Sequence, residues 1–589
     1  MVDKTSPLVS IVIPVYNGAN YMSEAIDSAL AQTYSNVEVI VVNDGSNDNG
    51  KTDRIAKEYG DKIRYFVKEN GGCASALNLA IKNMKGQYFS WLSHDDVYYP
   101  NKIEHQINLI NKLKNSATII YGGYEVINSA SKSMYYVRPE NTIPEEKRNI
   151  PLFPLLRGLI HGCSLLIPVK YFKEIGVFDE TLPSTQDYAL WFKFLRVAPI
   201  HFDNTITIKS RVHEEQGTHK ITNHLNECNE LWSGFLRELT EDEMTEMEGS
   251  PYLFLTRTAA FLANNTPYTK ARDLATLMAK QTLSNIKISV VMPVYNRIKL
   301  AIEAIDSVII QTHQTFELII IDDGSAEDVS LLLKKCKSDP RITYTHTKNK
   351  GAAAARNLGV SKATGKYVAF LDSDDLFYPN KLEVQLKYME DNSWVFSHTS
   401  YERINVESKH INFIASGSIC NGYVFPQIIS SCQIATPTVM GATSLFKSNP
   451  FPHNMRIGED VCTWISIASE NFIGGIDTAL SKIRVSNSST YFDHGKYALG
   501  LINISAFVIN DKRFNQFSSL LINLLYAAIR NLQLLDEQTG IQIQQPSTYK
   551  RSSFLHTIRP PLTLMILINS LKRNGLRATL YRIYWRLKR

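Results

Sequence analysis

The chain contains a long internal repeat. The segment Ser-Ile-Val-Ile-Pro-Val-Tyr-Asn at residues 10–17 returns as Ser-Val-Val-Met-Pro-Val-Tyr-Asn at residues 289–296, a separation of 289 − 10 = 279 positions. The same separation relates three further pairs: Asp44 and Asp323, Asn78 and Asn357, and Pro100 and Pro379. Solenoid repeats have periods of about 20 to 50 residues. A register kept at this much longer period therefore predicts a duplicated domain.

Each copy has the pattern of an α/β fold. In the first copy, residues 9–15 and 37–42 are rich in β-branched side chains, which is typical of strands buried on both faces. Apolar residues recur at helical spacing in 21–32, and strand–helix–strand with short links predicts a right-handed parallel unit. Ligands of such sheets bind beyond the carboxyl ends of the strands. We therefore expect one cleft lined by the segments that follow strands: 14–17, 44–46 and 93–96.

Composition and charge exclude several classes of protein. With 589 residues, of which 44% are hydrophobic and 20% charged, the chain is globular material for several domains. The net charge is only +6, and the basic excess lies in residues 572–589 rather than across a folded domain, which argues against a nucleic-acid partner. The seven cysteines are scattered and never in CxxC spacing, which favours a reducing compartment over a disulfide framework or a zinc site.

Targeting signals are not apparent in the sequence. The N-terminus enters a strand without the pattern of a signal peptide. Apolar stretches such as residues 517–529 are shorter than the about 20 residues that a spanning helix needs. The expected location is the cytoplasm.

Four motifs of the chain resemble those of family 2 glycosyltransferases with the GT-A fold. They are Pro-Val-Tyr-Asn after the first strand, Asn-Asp-Gly-Ser or Asp-Asp-Gly-Ser after the second, Ala-Arg-Asn after a Gly-Ala run, and Leu-Asp-Ser-Asp-Asp. The resemblance implies two nucleotide-diphospho-sugar transferase domains in tandem. It also implies inverting transfer from a nucleotide-sugar donor, for which we expect UDP-sugars, with Mg²⁺ or Mn²⁺ as cofactor.

The second copy carries its acidic motif at residues 371–375. A departing nucleoside diphosphate gathers negative charge, which a divalent cation bound by carboxylates neutralises. Alternate side chains of an extended segment point the same way, which predicts that Asp372 and Asp374 share one face. The resemblance implies that Asp372 contacts the nucleotide and Asp374 the metal. The alternative is a cluster that caps the helix predicted for residues 376–389.

The first copy departs from this acidic pattern. Ser93 stands at the place of Asp372, so the nucleotide contact is weakened, whereas Asp95 keeps the place of the metal ligand. The same alternation would point His94 away from Asp95, which favours a packing role for His94.

A histidine occurs in the first copy alone at a further position of the family pattern. His213 in Arg211-Val-His213 resembles the family's Arg-x-His segment, whose imidazole can complete the metal shell, and the alternative is a structural histidine. The second copy has Ser486 at this position, so its metal would have fewer protein ligands.

A nucleotide pocket is implied at the ends of the first two strands of each copy. Asp44 and Asp323 match the family position that contacts the nucleotide base, although Asp-Gly-Ser is also good turn chemistry. Arg356 resembles a family contact to the nucleotide or diphosphate, and a solvated surface arginine is the alternative. The first copy has Leu77 at that position, a loss of positive charge. Four residues are expected to wall the pocket: Pro14, Tyr16, Pro293 and Tyr295.

An inverting transfer needs a base that takes the proton of the acceptor hydroxyl. The family places this base in a Glu-Asp pair at a helix start, which corresponds to residues 459–460 in the second copy and to Gln-Asp at 186–187 in the first. We therefore expect Asp187 and Asp460 to be the catalytic bases. The alternative is an acidic cap favoured by the helix dipole.

The predicted domain organisation has four parts. They are a first GT-A domain (1–230), a helical connector (231–284), a second GT-A domain (285–500) and a helical C-terminal region (501–589). In the last part, residues 571–589 combine apolar residues at helical spacing with seven Lys or Arg and no acid. This tail resembles a helix on an anionic membrane surface, and the alternative is a helix packed on the second domain.

The function expected from the sequence is that of a bifunctional glycosyltransferase. It would build a bacterial surface glycan of the capsule or O-antigen type on a glycan or lipid-linked glycan acceptor, peripherally on the inner face of the cell membrane. One alternative is a processive two-site polymerase. Another is catalysis by the second domain alone, with the first as a degenerate binding or scaffold module.

Overall fold

The structure is a computed structural model that describes residues 6–214, 223–486 and 493–539. The chain divides into two compact units, residues 1–280 and 281–589. The predicted boundaries after residues 230 and 500 fall inside the helices His224–Glu238 and His494–Asn510. The first unit therefore includes most of the predicted connector, and the second includes the start of the predicted C-terminal region. The basic tail at 571–589 lies outside the described residues.

The first unit is built on a five-stranded sheet in the order β3-β2-β1-β4-β9, with its strands numbered along the chain. The strands are β1 (Val9–Val15), β2 (Val37–Asp44), β3 (Arg64–Lys68), β4 (Tyr88–Trp91), β5 (Val97–Tyr98), β6 (Ile119–Gly122), β7 (Tyr124–Asn128), β8 (Ser133–Val137), β9 (Ile167–Pro168), β10 (Ile200–Asp203) and β11 (Ile208–Val212). Strand β1 pairs in parallel with β2 and β4, and β2 with β3, whereas β9 is antiparallel to β4. All of β1 is buried, because helices cover both faces of a parallel sheet.

Two smaller sheets of the first unit position the later part of the chain. Their orders are β5-β11-β7-β8 and β10-β6. Strand β5 follows the segment 93–96 directly, and it pairs antiparallel with the start of β11. The pairing brings the chain beyond Val212 back toward the segment that precedes β5.

The helices of the first unit cover its sheets with apolar faces. They are Met22–Leu30, Lys51–Glu58, Cys73–Asn83, Lys102–Leu113, Lys170–Glu174, Gln186–Leu195, His224–Glu238, Glu241–Glu248, Pro251–Asn265 and Thr269–Asn285, the last of which crosses the unit boundary. In the first helix, Met22, Ala25, Ile26 and Ala29 are buried at helical spacing. The helix His224–Glu238 packs on Gln186–Leu195, where the rings of Phe192 and Phe235 stack with centroids 4.2 Å apart.

The second unit repeats the same architecture in one larger sheet. Its nine strands have the order β14-β13-β12-β15-β19-β17-β20-β16, with β18 paired to β17. They are β12 (Ile288–Val294), β13 (Phe316–Asp322), β14 (Ile342–His346), β15 (Tyr367–Phe370), β16 (Leu376–Phe377), β17 (Phe396–Ile404), β18 (His410–Ile414), β19 (Met440–Ala442) and β20 (Gly474–Arg484). As in the first unit, the central β12 has parallel neighbours on both sides, β13 and β15.

The helices of the second unit enclose two hydrophobic cores. The helices are Ile298–Ile309, Ser330–Lys337, Ala352–Lys362, Lys381–Asn392, Ser416–Ile419, Thr443–Ser448, Glu459–Ala468, His494–Asn510 and Ile522–Thr539. One core includes Ile305 and Leu386, and the other includes Phe370 and Trp464. Val508 and Leu525 belong to the second of these cores, so the helices after residue 493 are part of the body of this unit.

The described ranges contain neither a candidate membrane-spanning helix nor a disulfide. Between residues 6 and 539, outside the two gaps, no helix combines the length and hydropathy that crossing a membrane requires. All seven cysteines fall within these ranges, and all are free thiols.

Candidate active sites

The same contact between two loops occurs in both copies. The backbone amide of Asn17 donates to Ser46 Oγ at 2.8 Å, and Asn17 Oδ1 accepts from the amide of Asn47 at 2.8 Å. In the second unit, the amide of Asn296 donates to Ser325 Oγ, also at 2.8 Å. Both asparagines have φ above +50°, a conformation that asparagine tolerates better than most residues. They join the loop after the first strand to the loop after the second.

The aspartates after the second strands hold the next loop in place. Asp44 is buried and accepts from the amides of Gly71 and Gly72 at 3.0 and 2.7 Å and from Lys68 Nζ at 2.8 Å. Asp323 likewise accepts from the amides of Lys350 and Gly351 at 2.7 and 2.8 Å. These bonds reach amides 27 and 28 residues further along the chain, so Asp44 and Asp323 position the start of the helix that follows rather than closing a local turn.

The tyrosines and prolines of the first strands differ in exposure. Tyr16 and Tyr295 are 44% and 52% exposed, so their rings are open to solvent beside the cleft. Pro14 is buried within β1, and Pro293 is half-buried within β12. A contact of these four residues with a nucleotide stays a prediction.

The acidic segments are turns, and the expected extended conformation is wrong. The amide of Asp375 donates to the carbonyl of Asp372 at 3.1 Å, and the amide of Asp96 donates to the carbonyl of Ser93 at the same distance. These bonds close four-residue turns, so alternation does not decide where the side chains point. The ring of His94 lies against Gly18, at which a Cβ atom would approach it to 2.7 Å.

In the first unit, the two predicted metal ligands lie side by side. His213 Nε2 is 3.0 Å from Asp95 Oδ2, and both side chains are largely buried. The ring of Tyr21 lies 5.0 Å from the imidazole. A carboxylate oxygen and an imidazole nitrogen at this separation are donors that suit a divalent cation such as Mn²⁺.

A buried arginine fixes the turn that carries Asp95. Arg211 Nε donates to the carbonyl of Asp95 at 2.8 Å, and its backbone amide donates to Asp96 Oδ1 at 2.8 Å. In the second unit Arg484 makes the same two bonds to Asp374 and Asp375, at 2.9 and 2.7 Å. These arginines therefore position the acidic turns rather than meeting a substrate.

A second cluster in the first unit could also hold a metal ion. One oxygen, one nitrogen and one sulfur atom of Asp96, His161 and Cys163 lie within 4.8 Å of one another. However, each group already has a partner: Asp96 accepts from Arg211, His161 pairs with Ser210 at 3.0 Å, and Cys163 accepts from the amide of Ser93 at 3.3 Å. Burial raises the pKa of Asp96 and lowers that of His161 to about 4. The cluster is thus a satisfied polar network beneath the turn.

In the second unit an arginine pairs with the carboxylate that is predicted to bind the metal ion. Arg297 Nη1 donates to Asp374 Oδ2 at 2.7 Å. Burial and the carboxylate of Asp372 raise the pKa of Asp374, and Arg297 lowers it. Arg297 corresponds to Gly18 of the first unit (297 − 18 = 279), so the two sites balance the charge of this carboxylate differently.

Arg356 joins the predicted nucleotide and base positions of the second unit. Its Nη2 donates to Asp372 Oδ1 at 2.7 Å and its Nη1 to Glu459 Oε1 at 2.9 Å, with only 5% of the residue exposed. It is therefore not a solvated surface arginine. The first unit has Leu77, Ser93 and Gln186 at the three corresponding positions. The loss of positive charge at Leu77 is thus matched by the loss of both acidic partners.

The predicted bases stand at the starts of corresponding helices. Asp187 and Asp460 each accept from the amide of the following residue at 2.8 Å, but they lie in the first turn of their helices, whose capping positions are Thr185 and Gly458. Burial raises the pKa of Asp187 to about 6, which suits a base near neutral pH. Asp460 also accepts from Thr436 Oγ1 at 3.1 Å.

Three predicted carboxylates of the first unit act electrostatically on one thiol. Burial, with the negative charges of Asp187, Asp44 and Asp95, raises the pKa of Cys73 to about 12. In the second unit, the carboxylates of Asp372, Glu459 and Asp460 act in the same way on Arg356, whose pKa they raise above its usual value against the effect of burial. In the second unit, the hydrogen bonds of Arg356 to Asp372 and Glu459 bring the predicted nucleotide side and acceptor side together.

Sequence reasoning missed several residues of these sites. Asn17 and Asn296 were within a motif, but their contact with the next loop depends on a φ that the motif does not reveal. Arg297 is adjacent to that motif, and its pairing with Asp374 joins positions 77 residues apart. Gln186 and Glu459 were identified only as neighbours of the bases; the pairing of Glu459 with Arg356 could have been inferred by comparing the two copies, because the change from Glu459 to Gln186 accompanies that from Arg356 to Leu77.

Comparison with known proteins establishes the family. The family model "Glycosyl transferase family 2" matches residues 10–176 and 289–447. A glycosyltransferase of Rickettsia felis is 62% identical over 583 residues, which cover 98% of this chain and 96% of that protein. The Escherichia coli protein WfgD, a UDP-Glc:alpha-D-GlcNAc-diphosphoundecaprenol beta-1,3-glucosyltransferase, is 36% identical over 34% of this chain and 78% of its own length. TuaG of Bacillus subtilis, named for teichuronic acid biosynthesis, is 33% identical over 34% of this chain and 80% of its own length.

The chain belongs to glycosyltransferase family 2 and is a glycosyltransferase of glycan synthesis. The predicted α/β class, with GT-A folds in two regions, is confirmed by the two family matches and by the two sheets, whose central strands are parallel.

Proposed function

We propose that both units are active and that the chain is a bifunctional inverting glycosyltransferase. The observation that supports this most is the repetition of one arrangement: a buried acidic turn held by Arg211 or Arg484, and an aspartate at the start of a helix. If the first unit were only a degenerate scaffold, it would have no need to keep this arrangement. The matched replacements at Leu77, Ser93 and Gln186 agree with a remodelled site rather than a decayed one.

In the first unit, Asp187 acts as the base. It takes the proton of an acceptor hydroxyl while that oxygen bonds to the anomeric carbon of the donor and the nucleoside diphosphate departs with the electron pair of the broken bond. Asp95 and His213 would hold a divalent cation, which would supply positive charge to the leaving diphosphate. Asp44 keeps the loop at residues 71–72 in place beside the nucleotide.

In the second unit, Asp460 takes the same proton, and Asp374 would hold the cation. Arg356 fixes Asp372 on the nucleotide side and Glu459 on the acceptor side, so that both reactants meet a rigid frame. Arg297 must leave Asp374 for a cation to bind there. Its guanidinium can then meet the diphosphate oxygens.

The substrates we propose are UDP-sugars and a lipid-linked glycan of the bacterial surface. The support comes from the similarity to WfgD, whose name specifies a UDP-glucose donor and a diphosphoundecaprenol-linked acceptor, and to TuaG. Enzymes on such acceptors work at the membrane surface, and the basic pattern of residues 571–589 suits attachment to the inner face of the cell membrane.

A donor screen of the full chain tests the proposal. We expect release of nucleoside diphosphate from at least one UDP-sugar in a panel of UDP-, GDP- and dTDP-sugars, with Mn²⁺ and not with EDTA. The double variant Asp95→Ala/Asp374→Ala is the control and should lose this release. No release from any donor, or release that the double variant leaves intact, would contradict the proposal.

A further inference from the structure

The first unit contains a cavity of about 480 Å³ with the proposed base in its wall. Asp187 and Tyr188 line it from the helix Gln186–Leu195. The opposite wall comes from the helices His224–Glu238 and Pro251–Asn265 and the chain that follows them. The segment interpreted from sequence as a connector is therefore the second wall of this cavity. Its volume is within the range of small-molecule sites.

Aromatic side chains from both walls face the cavity. Trp232 lines it and is itself buried, with the ring of Phe261 5.8 Å and that of Tyr268 6.5 Å away. Phe261 and Tyr268 are half-buried, which leaves ring surface for a ligand. Aromatic faces combine apolar area with a polar tip, and the C–H face of a sugar ring is a matching surface.

Hydroxyl and amide groups complete the lining. Ser184, Thr185, Asn265 and Thr266 contribute neutral polar atoms, and His224 Nδ1 pairs with Ser184 Oγ at 2.9 Å. Neutral donors and acceptors of this kind match the hydroxyl groups of a pyranose.

The charge of the lining disfavours an anionic ligand. Arg157 is paired with Glu248, its Nη2 lying 2.8 Å from Oε1. Glu248 also binds Lys147 and Arg257, which leaves two positive charges in excess in this cluster, but neither Lys147 nor Arg257 lines the cavity. Asp187 is the acidic side chain of the lining and would repel a carboxylate or phosphate.

The second wall also positions the base. Glu227, on the helix His224–Glu238, accepts from the amides of Ser184 and Thr185 at 3.0 and 2.8 Å through its Oε1. Its Oε2 is buried and has no hydrogen-bond partner among the residues that the structure describes. The loop that leads into Asp187 is thus held by the same helix that carries Trp232.

We propose that this cavity binds an uncharged pyranose ring of the acceptor glycan and presents one of its hydroxyl groups to Asp187. The proposal rests on the proposed function of the first unit. It assigns residues 224–268 to acceptor recognition and restricts the ring bound there to one without a carboxylate or phosphate.

Two neighbouring asparagines supply a matched pair of variants. Asn264 and Asn265 are both exposed, but the cavity is lined by Asn265 and not by Asn264. Asn265→Trp fills the cavity, whereas Asn264→Trp adds the same ring outside it. A second pair is Tyr268→Ala, which removes a ring of the lining, and Tyr268→Phe, which keeps it.

The test is saturation-transfer NMR of the full chain with methyl glucopyranoside, methyl 2-acetamido-2-deoxyglucopyranoside and methyl glucopyranosiduronate. We expect a saturable signal from at least one neutral glycoside, a loss of at least fivefold in Asn265→Trp and Tyr268→Ala, and retention in Asn264→Trp and Tyr268→Phe. Equal binding within both pairs, or binding of the uronate as tight as that of the neutral glycosides, would overturn the proposal.

The result is separable from the donor screen. Donor turnover without a difference within the variant pairs overturns the cavity assignment alone. A difference within the pairs without donor turnover by the wild-type chain supports the cavity and contradicts the proposed function.

Discussion

At the scale of single residues, the environment of the proposed base Asp187 should set the pH range in which the first unit is active. Burial raises the pKa of Asp187 to about 6, and the charge of Glu227 contributes to this rise. A base acts only when it is ionised. Transfer by the first unit should therefore be full above about pH 7 and fall as the pH decreases through about 6.

Glu227→Gln should move this acidic limb to lower pH. The substitution removes a negative charge that disfavours ionisation of Asp187, while the amide oxygen can still accept the bonds from the loop at 184–185. The measurement is the pH–rate profile in an Asp460→Asn background, so that only the first unit turns over. Glu230→Gln, an exposed position on the same helix, is the control and should leave the limb unchanged. A limb that stays at the same pH in Glu227→Gln would show that another group titrates.

Arg297 should compete with a cation for Asp374. Its guanidinium lies 2.7 Å from the carboxylate and is half-exposed, and an exposed pair of this kind is worth up to about 1 kcal/mol. Arg297→Asn should therefore increase Mn²⁺ affinity by up to about fivefold, and asparagine also tolerates the positive φ of this position. The measurement is Mn²⁺ binding by electron paramagnetic resonance in an Asp95→Ala background. Arg297→Lys keeps the charge and should not increase the affinity; equal affinities of the two variants would exclude the competition.

At the scale of elements, a buried ion network joins two helices and a turn in the second unit. Arg356 belongs to the helix Ala352–Lys362, Asp372 to the acidic turn and Glu459 to the helix Glu459–Ala468. The first unit has Leu77, Ser93 and Gln186 at the three corresponding positions. The three residues of each set match in charge: all three are charged in the second unit and all three are neutral in the first. A mixture of the two sets would be unfavourable, because removal of one partner of a buried ion pair leaves an uncompensated charge.

Arg356→Leu alone should destabilise the second unit by about 3 kcal/mol, as expected for a broken buried pair. The triple variant Arg356→Leu/Asp372→Ser/Glu459→Gln, which installs the residues of the first unit, should recover most of that loss. The measurement is the free energy of unfolding from urea denaturation of the full chain. Arg513→Leu, which breaks an exposed pair with Asp511, is the control, with an expected cost below about 1 kcal/mol. A triple variant no more stable than Arg356→Leu would contradict the idea of a set.

The elements also explain how far the sequence could be interpreted. The strand at 9–15 was predicted with its observed bounds, because a short apolar run flanked by turn residues favours a buried strand over other secondary structures. The helix at 21–32 is shorter, Met22–Leu30, since helix ends depend on local capping. The acidic turns were expected to be extended, because alternating carboxylates do not reveal the hydrogen bond that closes a turn. The cavity wall at 224–268 could not be predicted, since its contacts with residues 184–188 depend on tertiary packing.

At the scale of the whole molecule, the same architecture occurs twice, and the two candidate sites differ in the side chains at corresponding positions. The first unit offers Asp95 with His213, and the second offers Asp374 with Arg297 and the network around Arg356. These differences arose on a shared frame of asparagine-linked loops and arginine-held turns. We interpret them as two donor or acceptor specificities in one chain, which would let successive sugars be added by one protein.

The most direct test of this account is separate inactivation of the two proposed bases in the full chain. Asp187→Asn and Asp460→Asn would be compared with wild type and the double variant by mass spectrometry of glycan products, using the donors identified by the screen. We predict that each single variant loses a different transfer step, by at least about a hundredfold as expected for a general base, and that the double variant loses both. Products of Asp187→Asn that match those of wild type for every donor would contradict the account and leave the second unit as the catalytic one.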